Sequence, residues 1–275
     1  MNTIHIYNKD CLKCVKEDIA PHSVDCVVTS PPYGGHVHNG RRKNASINKT
    51  YDVYEDNIDT EAYNKLCVDL FKGLETALKP NGVVCWNVSY NKANSEQFLR
   101  AIYNIINETE FTIAEVMTWK KPMAITVDSP NRLTRICEQV YILVRREDYE
   151  TYFCNKPVSS VDESGKKWYS GVMNYIEAKN SDGPNDLNGA VFSTEFATKL
   201  ISLYCPVGGV VYDPFMGTGT TAKACVVTNR KCVGSELSSA QCEYAKRRVD
   251  SLLARVVIEK DAPQPEVKPA NTEEA

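Results

Sequence analysis

Long apolar runs are missing from this chain. The longest are far too short to span a bilayer, and the opening Met1-Asn2-Thr3-Ile4-His5 lacks the charged-then-apolar pattern of a secretion signal, so a cytosolic location is expected. Excess basic charge is also absent. With 32 Lys and Arg against 35 Asp and Glu, the formal net charge is −3, so any nucleic acid would have to be held by local basic patches rather than by a global field. Histidine is scarce, with four in 275 residues. Cysteine is plentiful, with eleven, but Cys11-Leu12-Lys13-Cys14 is the sole CxxC pair and no second CxxC or HxxxH completes a zinc set. His36 and His38 lack a third ligand nearby and read as loop residues, so no metal is expected. An odd cysteine count without a secretion signal argues for reduced thiols.

What is present suits one catalytic domain with an inserted subregion, since 43% hydrophobic and 24% charged residues allow a large core. Strand-like runs at 4–7, 24–28, 83–88, 111–119, 138–144, 210–213 and 231–234 alternate with helical patterns at 11–19, 60–78, 95–106, 193–205, 221–228 and 241–255. That alternation predicts an α/β fold with a doubly wound, mostly parallel sheet of seven strands. Pro80-Asn81-Gly82 reads as a turn between helix and strand. Regularity lapses over 148–188, which divides the chain into a catalytic half (1–147), a recognition region (148–188), a cofactor half (189–260) and a disordered tail (261–275).

The strand at 24–28 runs into Thr29-Ser30-Pro31-Pro32-Tyr33-Gly34. Two prolines cannot continue a ladder, so the Ser30 hydroxyl and the Ser30 and Pro31 carbonyls are expected to face a ligand crevice as acceptors, with Tyr33 as a flat plate beside them. Acceptors and a plate suit a planar substrate with an exocyclic amino group, as in an extruded nucleobase; an ordinary Pro-Pro turn with a core tyrosine fits the tetrapeptide equally. The polar segment 34–57 that follows carries Arg41, Arg42, Lys43 and Lys49 and is expected to contact phosphates. Lys166, Lys167, Trp168 and Tyr169 in the irregular region suit either a grip on nucleic acid or a small subdomain core.

A strand feeding Asp213-Pro214-Phe215-Met216-Gly217-Thr218-Gly219-Thr220-Thr221 and then a helix is the geometry of a nucleotide-type cofactor site, and Glu236 at the end of the next strand could accept both ribose hydroxyls. No Gly-Lys-Ser/Thr follows, and Asp213 would repel a phosphate while tolerating an α-ammonium group. The expected cofactor is therefore cationic and amino-acid-like. The missing third glycine of G-x-G-x-x-G also counts against a nicotinamide-dependent oxidoreductase.

These two motifs resemble those of the S-adenosylmethionine-dependent DNA methyltransferases that modify exocyclic amino groups. Thr29-Ser30-Pro31-Pro32-Tyr33 resembles their (D/N/S)PP(Y/F/W) motif and Asp213 to Thr221 their DPF-x-G-(S/T)-G-T-T motif, in the permuted order of the β class. Asn8-Lys9-Asp10-Cys11-Leu12 is similar to a segment lying near the cofactor adenine, and Val191-Phe192 is a further match. The resemblance covers nearly all of residues 4 to 255 and implies a Rossmann-like methyltransferase fold. It implies Ser30, Pro31, Pro32 and Tyr33 as catalytic residues. It further implies a cofactor set of Asp10, Cys11, Thr29, Phe192, Asp213, Pro214, Phe215, Gly217, Thr218, Gly219, Thr220 and Glu236. The implied chemistry has Ser30 and the Pro31 carbonyl bind the two amino hydrogens and aim the nitrogen lone pair at the sulfonium methyl. Within the family Ser at the first motif position goes mostly with cytosine, so N4-methylcytosine is favoured over N6-methyladenine. RNA or protein-glutamine methylation and a catalytically dead DNA-binding relic are the alternatives. The implied partner is double-stranded DNA; a cognate restriction endonuclease and a homodimer are both open.

Overall fold

A computed structural model describes residues 3–32, 59–89, 95–123, 126, 128, 130–131, 133–179, 182 and 191–261, with side chains of the last helix described to 253. In chain order the elements are β1 (Ile4–Tyr7), α1 (Cys11–Glu17), β2 (Val24–Thr29), α2 (Thr60–Ala77), β3 (Leu78–Val88), α3 (Ser95–Glu108), β4 (Phe111–Lys120) and β5 (Cys137–Arg145). There follow β6 (Val158–Val161), β7 (Lys167–Tyr169), β8 (Tyr175–Glu177), α4 (Thr194–Tyr204), β9 (Val210–Asp213), α5 (Thr220–Val227), β10 (Lys231–Ser235) and α6 (Ser239–Asp261). Helix starts follow side-chain chemistry. Asp10, Asp59 and Ser193 each turn an oxygen back onto the first free amides of α1, α2 and α4.

The main sheet runs β1-β10-β9-β2-β3-β5-β4-β8. The first five strands are parallel, β5 is antiparallel to both its neighbours, and β8 runs parallel to β4. From β9 the chain winds outward to β10, whereas from β2 it winds the other way to β3. The boundary between β9 and β2 is therefore the point where the winding reverses, and a ligand crevice opens there at the carboxyl ends of the strands. Helices cover both faces. One layer packs Tyr63, Leu70 and Phe71 of α2 on Trp86 and Phe111, with Phe71 edge-on to both rings at 5.2 and 5.0 Å. The other packs Phe196 and Leu200 of α4 against Trp119 and Ile142 of the sheet, the Phe196 and Trp119 rings stacking at 4.3 Å.

Seven of these strands are those expected from the sequence, and an eighth joins them. Tyr175-Ile176-Glu177, from the expected recognition region, pairs Thr118 with Tyr175 and Lys120 with Glu177, and buries Ile176 in the core between sheet and helices. The region is therefore hydrogen-bonded into the main sheet, while β6 and β7 form a separate two-stranded ribbon. A second difference concerns Pro80-Asn81-Gly82, which lies inside β3 instead of before it. Val24 pairs with Leu78 and Cys26 with Val83, so the intervening residues form a bulge with Asn81 at φ 64°. The Arg145 guanidinium, at the end of β5, holds that bulge by donating to the carbonyls of Glu75, Leu78 and Lys79.

Candidate active site

The crevice is built around a clasp between β2 and β9. The Thr29 hydroxyl donates to Asp213 Oδ1 at 2.6 Å, and the Thr221 hydroxyl donates to Oδ2 at 2.5 Å and lies 3.4 Å from the Val28 carbonyl. The Phe215 amide adds a further bond to Oδ1 at 3.0 Å. Asp213 is wholly buried, and burial pushes its carboxyl up to about 6, against the opposing pull of the Thr221, Thr29 and Phe215 hydrogen bonds. The sequence expects this carboxylate to tolerate an α-ammonium group. In the structure it accepts from the Thr29 and Thr221 hydroxyls and the Phe215 amide, which fixes it between the ends of β2 and β9.

Beyond the clasp the chain turns through Gly217 and Gly219, at φ 54° and 84°, a conformation that side chains disfavour. A Cβ on Gly219 would lie 2.7 Å from that of Ala245 on α6, so the helix and the turn need glycine for their close approach. Glu236, just past β10, accepts from the Gly217 amide through Oε2 and from the Ser238 amide through Oε1, both at 2.8 Å. The end of β1 abuts the same place: the Lys9 amide donates to the Glu236 carbonyl, and Asn8 Nδ2 to the carbonyls of Glu236 and Leu237. Asp10 caps α1 through bonds from the Leu12 and Lys13 amides. Cys11 is buried beside it, its thiol pushed up to about 12 by burial and then by the Asp10 charge, so it is a neutral wall at ordinary pH. Phe215 lies edge-on to Trp86 and Phe192 edge-on to Phe196, both half-buried; Pro214, Thr218 and Thr220 are buried in the turn and helix start.

Ser30 and Pro32 are half-buried and Pro31 is buried at the end of β2. Thr29 pairs with Trp86, so Asn87 follows on β3 as Ser30 follows on β2. Asn87 Nδ2 donates to Glu138 Oε2 at 2.8 Å, and Lys121 pairs with Oε1 of the same buried carboxylate while lying over the Trp119 ring. The sequence singles out neither this cluster nor Thr221 as a site. Thr221 stands inside the glycine-turn motif, which is a usable signal; Asn87, Lys121 and Glu138 are brought together only by strand register.

On the β6–β7 ribbon, Asp162 accepts from the Ser164 and Lys166 amides and from the Ser164 hydroxyl, which orders the tip. Lys166 and Lys167 are exposed, Lys166 lies 4.5 Å over the Trp168 ring, and Trp168 and Tyr169 are 52% and 55% exposed. These aromatics are not the core of a small subdomain, the second option left by the sequence. Tyr33, His36, His38, Arg41, Arg42, Lys43, Lys49 and the tail beyond 261 lie outside the described residues. A cavity of about 360 Å³ is lined by Lys223, Tyr244, Arg247, Arg248, Ser251 and Leu252, none of them in the expected site. Among the described residues, no group of three or more His, Cys, Asp and Glu is placed to hold a metal, and no helix is long and apolar enough to cross a membrane.

Comparison with known proteins bears on the family and the fold. The DNA methylase family profile matches residues 24–247. The chain is 25% identical to the orphan methyltransferase M.BamHII of Bacillus amyloliquefaciens, over 87% of this chain and 93% of that protein. Its fold is similar to that of the cytosine-N4-specific PvuII DNA methyltransferase, with a TM-score of 0.64 at 19% identity over 94% of each chain. It is also similar to a DNA modification methylase from Thermus thermophilus complexed with S-adenosyl-L-methionine, with a TM-score of 0.59 at 21% identity over 91% of this chain and 94% of that one.

Proposed function

The chain belongs to the N6/N4 DNA methylase family, and from that membership we propose that it transfers the methyl group of S-adenosylmethionine to N4 of a flipped cytosine in DNA. The observation that carries this reading is the Thr29–Asp213–Thr221 clasp, which ties the strand ending in Ser30-Pro31-Pro32 to the strand feeding the glycine turn. Chemistry at one strand end is thereby held against binding at the other.

The residues present suit the cofactor. Glu236 stands at the end of β10 beside the glycine turn, and a carboxylate there is the chemistry that accepts ribose hydroxyls. Gly217 and Gly219 permit close approach, and Phe215, Phe192 and the neutral Cys11 offer apolar surface. Bound S-adenosylmethionine supplies a methyl group on a positively charged sulfur. The Ser30 hydroxyl and Pro31 carbonyl accept the two amino hydrogens of the base, and Tyr33 stacks on its ring. With that methyl donor bound, the amino nitrogen would form the new N–C bond as the S–C bond breaks, leaving S-adenosylhomocysteine, and one amino proton would pass to water. Lys166, Lys167, Arg41, Arg42, Lys43 and Lys49 hold phosphates.

Incubation with labelled S-adenosylmethionine and, in parallel, DNA, RNA or protein should label DNA. Digestion of that DNA to nucleosides should give N4-methylcytosine by mass spectrometry. Methyladenine alone would overturn the base assignment and leave the cofactor reading standing; label in RNA or protein alone would overturn the substrate. A homodimer and a cognate restriction endonuclease are secondary proposals, the first tested by equilibrium sedimentation and the second by restriction of unmodified DNA in a host extract.

A further inference from the structure

The glycine turn has a support that neither motif contains. Its Gly217 amide is held by Glu236, but the carbonyl of the next residue is held from another side: Arg248 Nη1, on α6, donates to Thr218 O at 2.7 Å. Ala245, about one helical turn before Arg248 on the same face, is the residue packed against Gly219. One face of α6 thus meets two consecutive residues of the turn, by packing at one and by a charged hydrogen bond at the other.

The other arm of the same guanidinium reaches the segment ahead of α4. Arg248 Nη2 donates to Asp182 Oδ1 at 2.9 Å, and Lys223 of α5 reaches that oxygen at 3.0 Å. Asp182 Oδ2 accepts the Thr194 amide, the first of α4, at 2.7 Å. The Asp182 side chain is only 5% exposed. Burial would raise its carboxyl, yet hydrogen bonding from Thr194 and the Lys223 pairing carry it below its ordinary value, so it is charged at neutral pH. A planar guanidinium with both arms engaged has a fixed spacing between its partners, which a flexible ammonium does not.

We infer that Arg248 is a positioning residue: it fixes the Thr218 carbonyl of the cofactor turn and, through Asp182, makes cofactor affinity depend on the state of the 148–188 region. The inference rests on the reading of 217–219 as the cofactor turn and of 148–188 as the DNA-recognition region. Coupling between binding sites is reciprocal, so DNA that stabilises the Asp182–Arg248 pair tightens cofactor binding, and cofactor tightens DNA binding by the same factor.

The test measures S-adenosylhomocysteine affinity by calorimetry, with and without unmethylated plasmid DNA, for the full-length wild type and for Arg248→Lys, Arg248→Met and Asp182→Asn. DNA should tighten binding to the wild type by roughly fivefold or more. Both Arg248 variants should raise KM for S-adenosylmethionine while leaving kcat at saturation near the wild-type value. Asp182→Asn should bring the ratio of affinities with and without DNA close to one. Arg248→Lys keeps the charge and serves if the methionine variant fails to fold. An unchanged ratio and unchanged KM in the folded variants would overturn the inference, as would a wild type whose affinity ignores DNA. Loss of kcat and thermal stability at constant KM would mark the interaction as merely structural and overturn it too. If the wild type bound no S-adenosylhomocysteine at all, the cofactor reading itself would fall and the inference with it.

Discussion

The Thr29 hydroxyl meets the Asp213 carboxylate at 2.6 Å across 184 residues of sequence. The carboxylate is wholly buried, so no water stands ready to replace the bond. Thr29→Val keeps the shape of the side chain and removes the donor. It should cost about 1–3 kcal/mol of stability, and Thr29→Ser should restore most of that. Denaturant unfolding checks both, and equal stability of the valine variant and the wild type would remove the clasp's energetic role.

Asp213 also predicts an inverted pH dependence. Its carboxyl titrates at about 6 in the fold, above its ordinary value of 3.8, with burial as the main cause. Between these values the folded protein holds a proton that the unfolded chain has released, so this contribution to stability is full below about 4 and lost as pH rises through about 6. The stability of the wild type relative to Asp213→Asn should therefore fall over that window. Melting both proteins from about pH 4 to about pH 7 gives the difference directly; a difference that rises with pH would mean a carboxylate stabilised by its partners.

Glu236→Ala removes the acceptor for the Gly217 and Ser238 amides and for the proposed cofactor ribose. Hydrogen bonds to a charged group contribute about 1.5–3 kcal/mol each, so S-adenosylhomocysteine should bind at least roughly tenfold more weakly. Undiminished affinity in calorimetry would refute the assignment.

Lys166 and Lys167 are exposed at the tip of an ordered ribbon. Replacing both with Gln should flatten the log–log salt dependence of DNA binding by about 0.9 for each phosphate no longer neutralised. The same measurement on variants of Arg41, Arg42 and Lys43 tests the arm that follows the Pro-Pro motif. An unchanged slope would return either set to ordinary solvated surface.

The central strands are legible in the sequence because strands covered on both faces read as nearly unbroken apolar runs, as Val83 to Val88 does, whereas Ile4 to Tyr7 at the sheet edge reads by alternation. Tyr175-Ile176-Glu177 is not, since three residues with a single buried side chain carry no usable period. The Pro80-Asn81-Gly82 bulge has an ordinary turn signature locally, and what keeps it within β3 is Arg145, whose bond to the Lys79 carbonyl spans 66 residues of sequence. At the candidate site, the placing of Ser30, Gly217 and Glu236 at strand ends is legible from the runs that precede them. The enclosure of Asp213 is not, because it depends on the Thr29 hydroxyl, 184 residues away, closing over the carboxylate from the side opposite Thr221 of its own motif.

The pairing of β8 with β4 means that the region between β5 and α4 supplies the strand that closes this edge of the main sheet. A chimera that exchanged this region for the equivalent one of a relative would have to bring an edge strand of its own. Without one, the outer backbone groups of β4 would be left as a template for pairing between molecules, and such a chimera would be lost to aggregation before its specificity could be measured.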